Sequence, residues 1–235
     1  MTAVADLRVL SGGAAKGLVA ALDGAIRAQV GAGIAGTFGA VGAMRERLLA
    51  GEPCDVVILT ASVVDALTAD GCLVAGASAP LGRVHTGIAV RSGDPLPRID
   101  DRTSLAAALR AADGIYFPDP QRATAGIHFD NVLQALGIRT EVTPHLKPYP
   151  NGATAMLNLA RAVEPIAIGC TQVTEILYTD GVQLVGRLPP EFELATVYTA
   201  AVCSRAADPR RARQLVSLLS GADSAALRAR GGFES

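Results

Sequence analysis

The feature that most constrains this fold is an alternation of short apolar runs with helix-like segments. The strand-like runs Leu7–Leu10, Gly33–Thr37 and Asp55–Leu59 are each followed by a segment typical of a helix, and the segment Val41–Ala50 stops at Gly51-Glu52-Pro53. A β-α-β order connects parallel strands by right-handed crossovers. The core must be aliphatic, because half of the residues are hydrophobic while only 4% are aromatic and Trp is absent. Such a composition suits strands covered by helices on both faces, so the sequence predicts an α/β fold.

The second half of the chain repeats this order with its own strands and helices. We predict strands at Val84–Val90, Gly114–Phe117 and Ile166–Ile168, a loop at Ala75–Gly82 and a helix at His128–Leu136. The stretch after about residue 192 cannot complete a second sheet alone, so its simplest path returns to the first. This predicts two lobes, 1–82 plus 192–235 and 83–191, with a hinge near 81–83 and 190–195.

Charge and composition exclude some classes of protein. The net charge is −1, so the chain lacks the excess of basic residues that is typical of a nucleic-acid binder. No apolar run reaches 18 residues, so we expect no membrane span. No signal-peptide pattern precedes Asp6 and Arg8, which predicts a cytoplasmic location for this sequence, or a periplasmic one if a leader was removed.

The cysteines and histidines show no spacing typical of metal ligands, so no metal is expected. Cys54, Cys72, Cys170 and Cys203 are widely separated and have apolar neighbours. We predict buried free thiols, with a Cys54–Cys72 disulfide as the alternative.

Four predicted strand-to-helix turns share a composition of small residues: 11–17, 36–44, 119–129 and 149–156. Helix N-termini present unpaired N–H groups and partial positive charge, and ligands of open α/β sheets bind at the carboxyl ends of strands. Two such turns from each lobe would form a cradle for an anion. The alternative is that small residues merely allow tight packing at these turns.

Several segments together resemble the molybdate-binding-protein-like branch of the type II periplasmic binding proteins. They are SGGAAKGL at the start, GTFGAVGAMRERLLAGEPCDVVIL, DPQRATAGIHFDNVLQALGI, and the strand PIAIG followed by TQVTEIL. The resemblance covers nearly the whole chain and implies two α/β lobes with a ligand cleft between them. It also implies Ser hydroxyls at the first two helix starts and a Tyr hydroxyl after the fifth turn. Here those places carry Ala14, the Val41–Gly42 pair and Cys170.

The loss of these hydroxyls and the presence of Lys16 make the chain more similar to the aconitate-isomerase-type members of this branch. That resemblance implies a di- or tricarboxylate ligand and an isomerase that shifts a double bond by proton transfer, with no cofactor. An oxyanion such as molybdate is a less suitable ligand because it needs many fixed donors.

Three side chains could carry the chemistry. Lys16 could pair with a carboxylate or act as a base, and Arg122 could bind a carboxylate with its planar fork. His128 could serve as a general acid or base. The alternatives are a solvated lysine, a surface arginine and a packing histidine. The predicted catalytic residues are Lys16 and His128. The predicted ligand-binding residues are Ser11, Gly12, Gly13, Ala14, Thr37, Gly39, Val41, Gly42, Arg122, Thr124, Ala125, Gly126, Asn151, Gly152, Thr154 and Gln172. Glu175 could act as a base, but we expect it to be a solvated carboxylate at the start of a helix.

Two other functions stay open. The chain could be an ABC-transporter solute-binding protein of the molybdate-binding type, which binds an oxyanion or carboxylate without catalysis and meets an ABC permease only if it is exported. It could also be a cytoplasmic sensor that reports ligand occupancy to a partner.

Overall fold

The computed structural model describes residues 5–235; residues 1–4, which belong to predicted lobe 1, lie outside the described residues. Contacts divide the chain into two compact units, Met1–Val84 with Thr196–Ser235, and His85–Ala195. These boundaries lie two residues (84 against 82) and four residues (195 against 191) beyond the predicted ones. The chain passes from one unit to the other twice.

Strands and helices alternate along most of the described chain. The strands are β1 Leu7–Gly12, β2 Ile34–Gly39, β3 Val56–Thr60, β4 Leu73–Arg91, β5 Gly114–Pro118, β6 Leu146–Tyr149, β7 Ala167–Gln172, β8 Val182–Arg187 and β9 Ala195–Cys203. The α-helices are α1 Lys16–Ala21, α2 Asp23–Val30, α3 Val41–Leu49, α4 Ala61–Ala69, α5 Arg102–Ala111, α6 Thr124–Ala135, α7 Gly152–Leu159, α8 Val173–Tyr178, α9 Pro209–Ser220 and α10 Ala225–Arg230. Single 3-10 turns lie at Gly13–Ala15, Thr143–His145, Pro190–Phe192 and Ala222–Ser224.

The first unit contains strands in the order β2-β1-β3-β9. β1 pairs in parallel with β2 and β3, whereas β9 runs antiparallel to β3. All five residues of β3 are buried, as expected for a strand covered on both faces. Ile26 of α2 and Leu219 of α9 are fully buried in this core.

The second unit contains strands in the order β8-β4-β7-β5-β6, with β5 parallel to β6 and β7, and β4 antiparallel to β7 and β8. The rings of Phe117 on β5 and Phe129 on α6 meet edge to face, with centroids 5.4 Å apart. Phe129, Val132 and Leu133 are buried, at spacings that place them on one face of the helix.

Two local predictions are wrong, and one strand was not predicted. Residues 75–82 form part of the 19-residue strand β4 and not a loop; the chain stays extended there although Gly76 and Gly82 have positive φ angles. Helix α6 begins at Thr124 and not at His128, because the N–H of Ile127 already bonds to the carbonyl of Ala123 over 2.9 Å. Strand β6, which contains Pro148, is absent from the predicted elements.

Among the described residues, no helix combines the length and the apolar character that crossing a membrane requires. The four cysteines are free thiols, three of them buried and Cys72 half-buried.

Candidate functional site

Three strands of the first unit end side by side, and each is followed by a helix. The register pairs Gly12 at the end of β1 with Gly39 at the end of β2, and β3 ends beside β1 at Thr60. A 3-10 turn and α1 follow Gly12, α3 follows Ala40, and α4 follows Thr60. The edge of this sheet therefore carries several helix starts, as the sequence predicted for an anion cradle.

Packing also accounts for some of the small residues here. A Cβ atom on Gly12 would lie 2.8 Å from Tyr198 Cε1 and 3.1 Å from Val41 Cγ2. A Cβ atom on Gly39 would lie 3.1 Å from the terminal methyl of Met44. Gly12 thus lets the end of β1 pack against β9 and α3, whatever else it does.

The predicted ligand residues of this unit occupy different environments. The Ser11 hydroxyl is buried and donates to the Gly12 carbonyl over 2.8 Å. Ala14 and Val41 belong to the hydrophobic core, while Gly13 and Gly42 are partly exposed. Lys16 is half-buried and is the first residue of α1.

Thr37 does not lie at the turn where the sequence placed it. β2 extends two residues beyond it, to Gly39, and Thr37 pairs with Leu10 within the ladder. The predicted strand ended too early, since Phe38 and Gly39 continue the ladder beyond Thr37.

In the second unit, α6 follows β5 through a turn that Asp119 organises. Asp119 Oδ1 accepts from the N–H groups of Gln121 and Arg122, at 2.7 and 3.1 Å. Arg122 lies exposed in this turn. Thr124, Ala125 and Gly126 form the first turn of α6. A Cβ atom on Gly126 would collide with the carbonyl oxygens of Pro118 and Asp119, so this glycine lets α6 start directly on the end of β5.

His128 is half-buried in α6, and its Nε2 lies 2.7 Å from the carbonyl oxygen of Phe192. A carbonyl oxygen only accepts, so Nε2 carries the hydrogen, and in the neutral ring Nδ1 is the acceptor. This bond ties α6 to the 3-10 turn Pro190–Phe192. Any base chemistry by the neutral imidazole must use Nδ1.

The start of helix α7 packs against two buried polar side chains, those of Thr171 and Glu175. The Asn151 side chain caps it by accepting from the N–H of Thr154 over 2.9 Å. A Cβ atom on Gly152 would collide with Thr171 Oγ1 and Glu175 Oε2. The absence of a side chain at Gly152 therefore lets the helix start contact the hydroxyl and the carboxyl directly.

Glu175 is buried, contrary to the solvated position expected from the sequence. Its side chain accepts a hydrogen bond from Thr171 Oγ1 over 2.6 Å, and the residue is 6% exposed. Burial raises the pKa of Glu175, while hydrogen bonds from Thr171 and from the backbone N–H groups of Ala153 and Gln172 act in the opposite direction. A carboxyl with a raised pKa can hold and release a proton closer to neutral pH.

Several buried polar atoms on β4, β7 and α8 have no hydrogen-bond partner among the described residues. They are both side-chain polar atoms of Gln172 and the hydroxyls of Thr86 and Thr174. Gln172 ends β7, faces Thr86 across the β4–β7 ladder, and is 3% exposed. Burying such groups unpaired is costly, so their partner is expected to be a ligand or water.

The sequence predicts Gln172 as a ligand-binding residue and Glu175 as a solvated carboxylate. It does not single out Thr86, Thr171 or Thr174. The polar run TQVTE at the end of a buried strand is the signal that could have found Thr171 and Thr174. The family resemblance points instead to Cys170. This residue lies inside β7, is fully buried and pairs with Ile88 of β4. Hydroxyls do lie nearby, on Thr171 inside β7 and on Thr174 in α8, one and four residues after Cys170.

Among residues 5–235, no group of three or more His, Cys, Asp or Glu side chains is arranged to hold a metal ion. The polar groups at the end of β7 are hydroxyls, an amide and one carboxyl, which suit hydrogen bonding to an organic acid.

The fold and these strand ends define a solute-binding protein. Residues 7–234 match the family of bacterial extracellular solute-binding proteins, and the chain belongs to that family. This match confirms the predicted resemblance and, together with similar solved structures, the predicted periplasmic-binding-protein fold.

One relative is an aconitate isomerase from a Pseudomonas species, 26% identical over 190 residues, which cover 78% of this chain and 68% of the relative. A periplasmic molybdate-binding protein from Azotobacter vinelandii superposes with a TM-score of 0.80 at 19% identity, covering 98% of this chain and 99% of the other. A sulfate-binding protein from Mycobacterium tuberculosis superposes with a TM-score of 0.74 at 18% identity, covering 98% and 86%.

Proposed function

We propose that this protein binds a small di- or tricarboxylate in the cleft predicted between its lobes, and that it isomerises this ligand by moving a double bond. The observation that carries the proposal is the group of buried, unpartnered polar atoms at Gln172, Thr86 and Thr174 of the described chain, beside the buried carboxyl of Glu175. An organic acid would satisfy these donors and acceptors. The similarity to an aconitate isomerase supports the choice of substrate class.

The proposed reaction is an allylic proton shift. A base takes a proton from a methylene carbon that bears a carboxylate and adjoins the double bond, and the electron pair forms a new double bond to the neighbouring carbon. The old double bond accepts a proton at its far carbon, so atoms and charge balance without a cofactor. Helix N-termini together with Lys16 or Arg122 would stabilise the charge that spreads onto a carboxylate in between.

Three groups are candidates for the proton transfer. Lys16 and His128 were predicted from the sequence, and Glu175 joins them because burial raises its pKa. His128 donates from Nε2 to Phe192, which leaves Nδ1 for the reaction. Unlike the His128 ring, the Glu175 carboxyl has no tautomer that limits which atom transfers the proton. Its neighbours Gln172 and Thr174 offer hydrogen bonds that could hold a carboxylate.

The second candidate is a transport receptor that binds without catalysis. The family match supports it, because that family consists of extracellular solute-binding proteins. The molybdate- and sulfate-binding structures favour an oxyanion as its ligand. In that case an ABC permease would be the partner, and the protein would work outside the cytoplasm.

One experiment separates these functions. The purified protein is incubated with trans-aconitate in D₂O and followed by proton NMR, while calorimetry measures binding of trans-aconitate, molybdate and sulfate. Formation of cis-aconitate with deuterium incorporation supports the isomerase. Tight binding without exchange supports the receptor. If neither carboxylate nor oxyanion binds, the anion-binding proposal is wrong.

A further inference from the structure

Three of the four cysteines line one cavity in the first unit, at the end of β3 opposite to the helix start at Thr60. The cavity has a volume of about 260 Å³, and its lining includes Cys54, Cys72 and Cys203. These residues are widely separated in sequence, so the fold brings them together. The cavity plays no part in the proposed isomerase or receptor function.

Backbone hydrogen bonds fix this arrangement. The N–H of Cys203 donates to the carbonyl of Asp55, the residue after Cys54, over 3.0 Å, and the N–H of Ser204 donates to the carbonyl of Cys72 over 2.9 Å. Cys203 ends β9, and Cys54 lies two residues before β3, so Cys54 is offset by one residue from Asp55, which faces Cys203. A strand spacing of about 4.8 Å with an offset of about 3.4 Å gives a Cα separation of about 6 Å, within the roughly 4.4–6.8 Å that a disulfide spans.

The two thiols also interact. A hydrogen bond with the Cys203 thiol is the main cause that lowers the pKa of Cys54, although burial acts against it. The same hydrogen bond, with burial, raises the pKa of Cys203. Cys54 is therefore the better nucleophile of the pair, since the thiolate is the reactive form.

We propose that Cys54 and Cys203 are a reactive dithiol that exchanges with small disulfides entering this cavity and closes to a Cys54–Cys203 disulfide. The Cys54 thiolate attacks one sulfur of R–S–S–R, forming a mixed disulfide and releasing RS⁻. Cys203 then loses its proton to RS⁻ and attacks the Cys54 sulfur, releasing a second RS⁻, which takes a proton from water. Overall two protein thiols are oxidised and one small disulfide is reduced to two thiols.

Formation of the mixed disulfide on Cys54 favours the later attack by Cys203. Once Cys54 carries the R group it has no negative charge, so one cause of the raised pKa of Cys203 disappears. Cys72 is half-buried and lines the same cavity, but no metal-binding group of three such side chains exists in the described chain. Redox exchange therefore explains this cluster better than metal binding.

The test treats the folded, fully reduced protein with oxidised glutathione, then unfolds it, labels free thiols with a maleimide mass tag and maps disulfides by peptide mass spectrometry. We expect the four free thiols to fall by two, with a Cys54–Cys203 cross-link. Cys170, which lies in the second unit and does not line this cavity, is expected to remain a free thiol.

Single variants order the steps. Cys203→Ala should stop at a glutathione adduct on Cys54, and Cys72→Ala should leave the cross-link unchanged; circular dichroism checks that each variant is folded. Four free thiols in the treated wild-type protein, or a cross-link that uses Cys72 in place of Cys54 or Cys203, would overturn the proposal. The wild-type result decides the question even if a variant fails to fold.

Discussion

Thr171 donates its hydroxyl hydrogen to Glu175 Oε2 over 2.6 Å, and both side chains are buried beneath the first residue of α7. The carboxyl is thus held between the end of β7, the start of α8 and the start of α7. When the Glu175 carboxyl is protonated it is neutral, so the free-energy cost of burying a charge disappears. The stability of the fold is therefore expected to depend on pH.

The first prediction concerns stability against pH. A group whose pKa is raised by folding contributes stability below its unfolded pKa, near 4.5, and this stability is lost as pH rises through the folded pKa. Glu175→Gln keeps the shape without the charge. We expect the variant to gain stability relative to wild type as pH rises above about 4.5 and through the folded pKa, by up to about 1.4 kcal/mol per pH unit within that window. Urea unfolding at several pH values measures this. A difference that does not change with pH would contradict it.

The second prediction concerns Glu164, whose pKa is shifted in the direction opposite to that of Glu175. Its side chain accepts hydrogen bonds from Lys147 and from the Tyr116 hydroxyl, and the Lys147 contact is the main cause that lowers the pKa of Glu164 to about 2. Such a group stabilises the fold above its unfolded pKa and ceases to do so as pH falls through about 2. Glu164→Gln should therefore be destabilised at neutral pH, and the deficit should shrink on acidification in the same urea series. A deficit that grows on acidification would show that this pairing is wrong.

A third prediction tests the contact between α7 and the buried pair. Gly152→Ala introduces a Cβ atom that collides with Thr171 and Glu175, so we expect a loss of about 1–3 kcal/mol in unfolding free energy. Gly24→Ala is the matched control, since it lies in α2 and its Cβ would meet nothing within 4 Å. That control should gain up to about 1 kcal/mol. Equal effects of the two changes in thermal or urea unfolding would rule out the close contact at Gly152.

The fourth prediction concerns Gln172, whose buried amide has no partner among residues 5–235. Gln172→Met keeps the length of the side chain and removes the polar atoms. If these atoms bind the ligand, affinity for trans-aconitate should fall roughly 5- to 150-fold, the equivalent of about 1–3 kcal/mol, while stability stays equal or rises. Gln134→Met, at an exposed position on α6, serves as the control. Unchanged affinity in calorimetry would remove Gln172 from the proposed site.

Most of the architecture follows from sequence patterns that have a simple physical origin. The run DVVIL predicts a buried strand, and Val56, Val57, Ile58 and Leu59 are fully buried. The predicted boundaries of strands and loops were wrong where the local composition is not typical of the element that forms. Residues 75–82 contain Gly76, Pro80 and Gly82, which are typical of a loop, yet they belong to a long strand. Strand preference depends on tertiary context, and a sequence does not display which partners a strand will have.

The candidate site was only partly predictable for a similar reason. Small residues at strand ends pointed to the helix starts, but Gly126 and Gly152 turn out to make close backbone packing possible. The burial of Glu175 depends on α7, which comes from a distant part of the sequence. No pattern within TQVTE distinguishes a buried carboxyl from a solvated one. Thr86, on β4, is brought to Gln172 only by the register of the sheet.

The last prediction concerns Lys16, which begins α1 directly after the 3-10 turn at the end of β1. A cation at this position would attract a carboxylate in addition to the helix N–H groups, and hydrogen bonds to charged groups contribute about 1.5–3 kcal/mol. Lys16→Met should therefore weaken trans-aconitate binding about 10- to 100-fold, and the wild-type affinity should fall with added salt more steeply than that of the variant. Arg45→Met, an exposed change on α3 that also removes one positive charge, controls for net charge. If Arg45→Met weakens binding as much as Lys16→Met does, the effect is a long-range one and Lys16 does not contact the ligand. If neither change alters affinity or turnover, Lys16 lies outside the site.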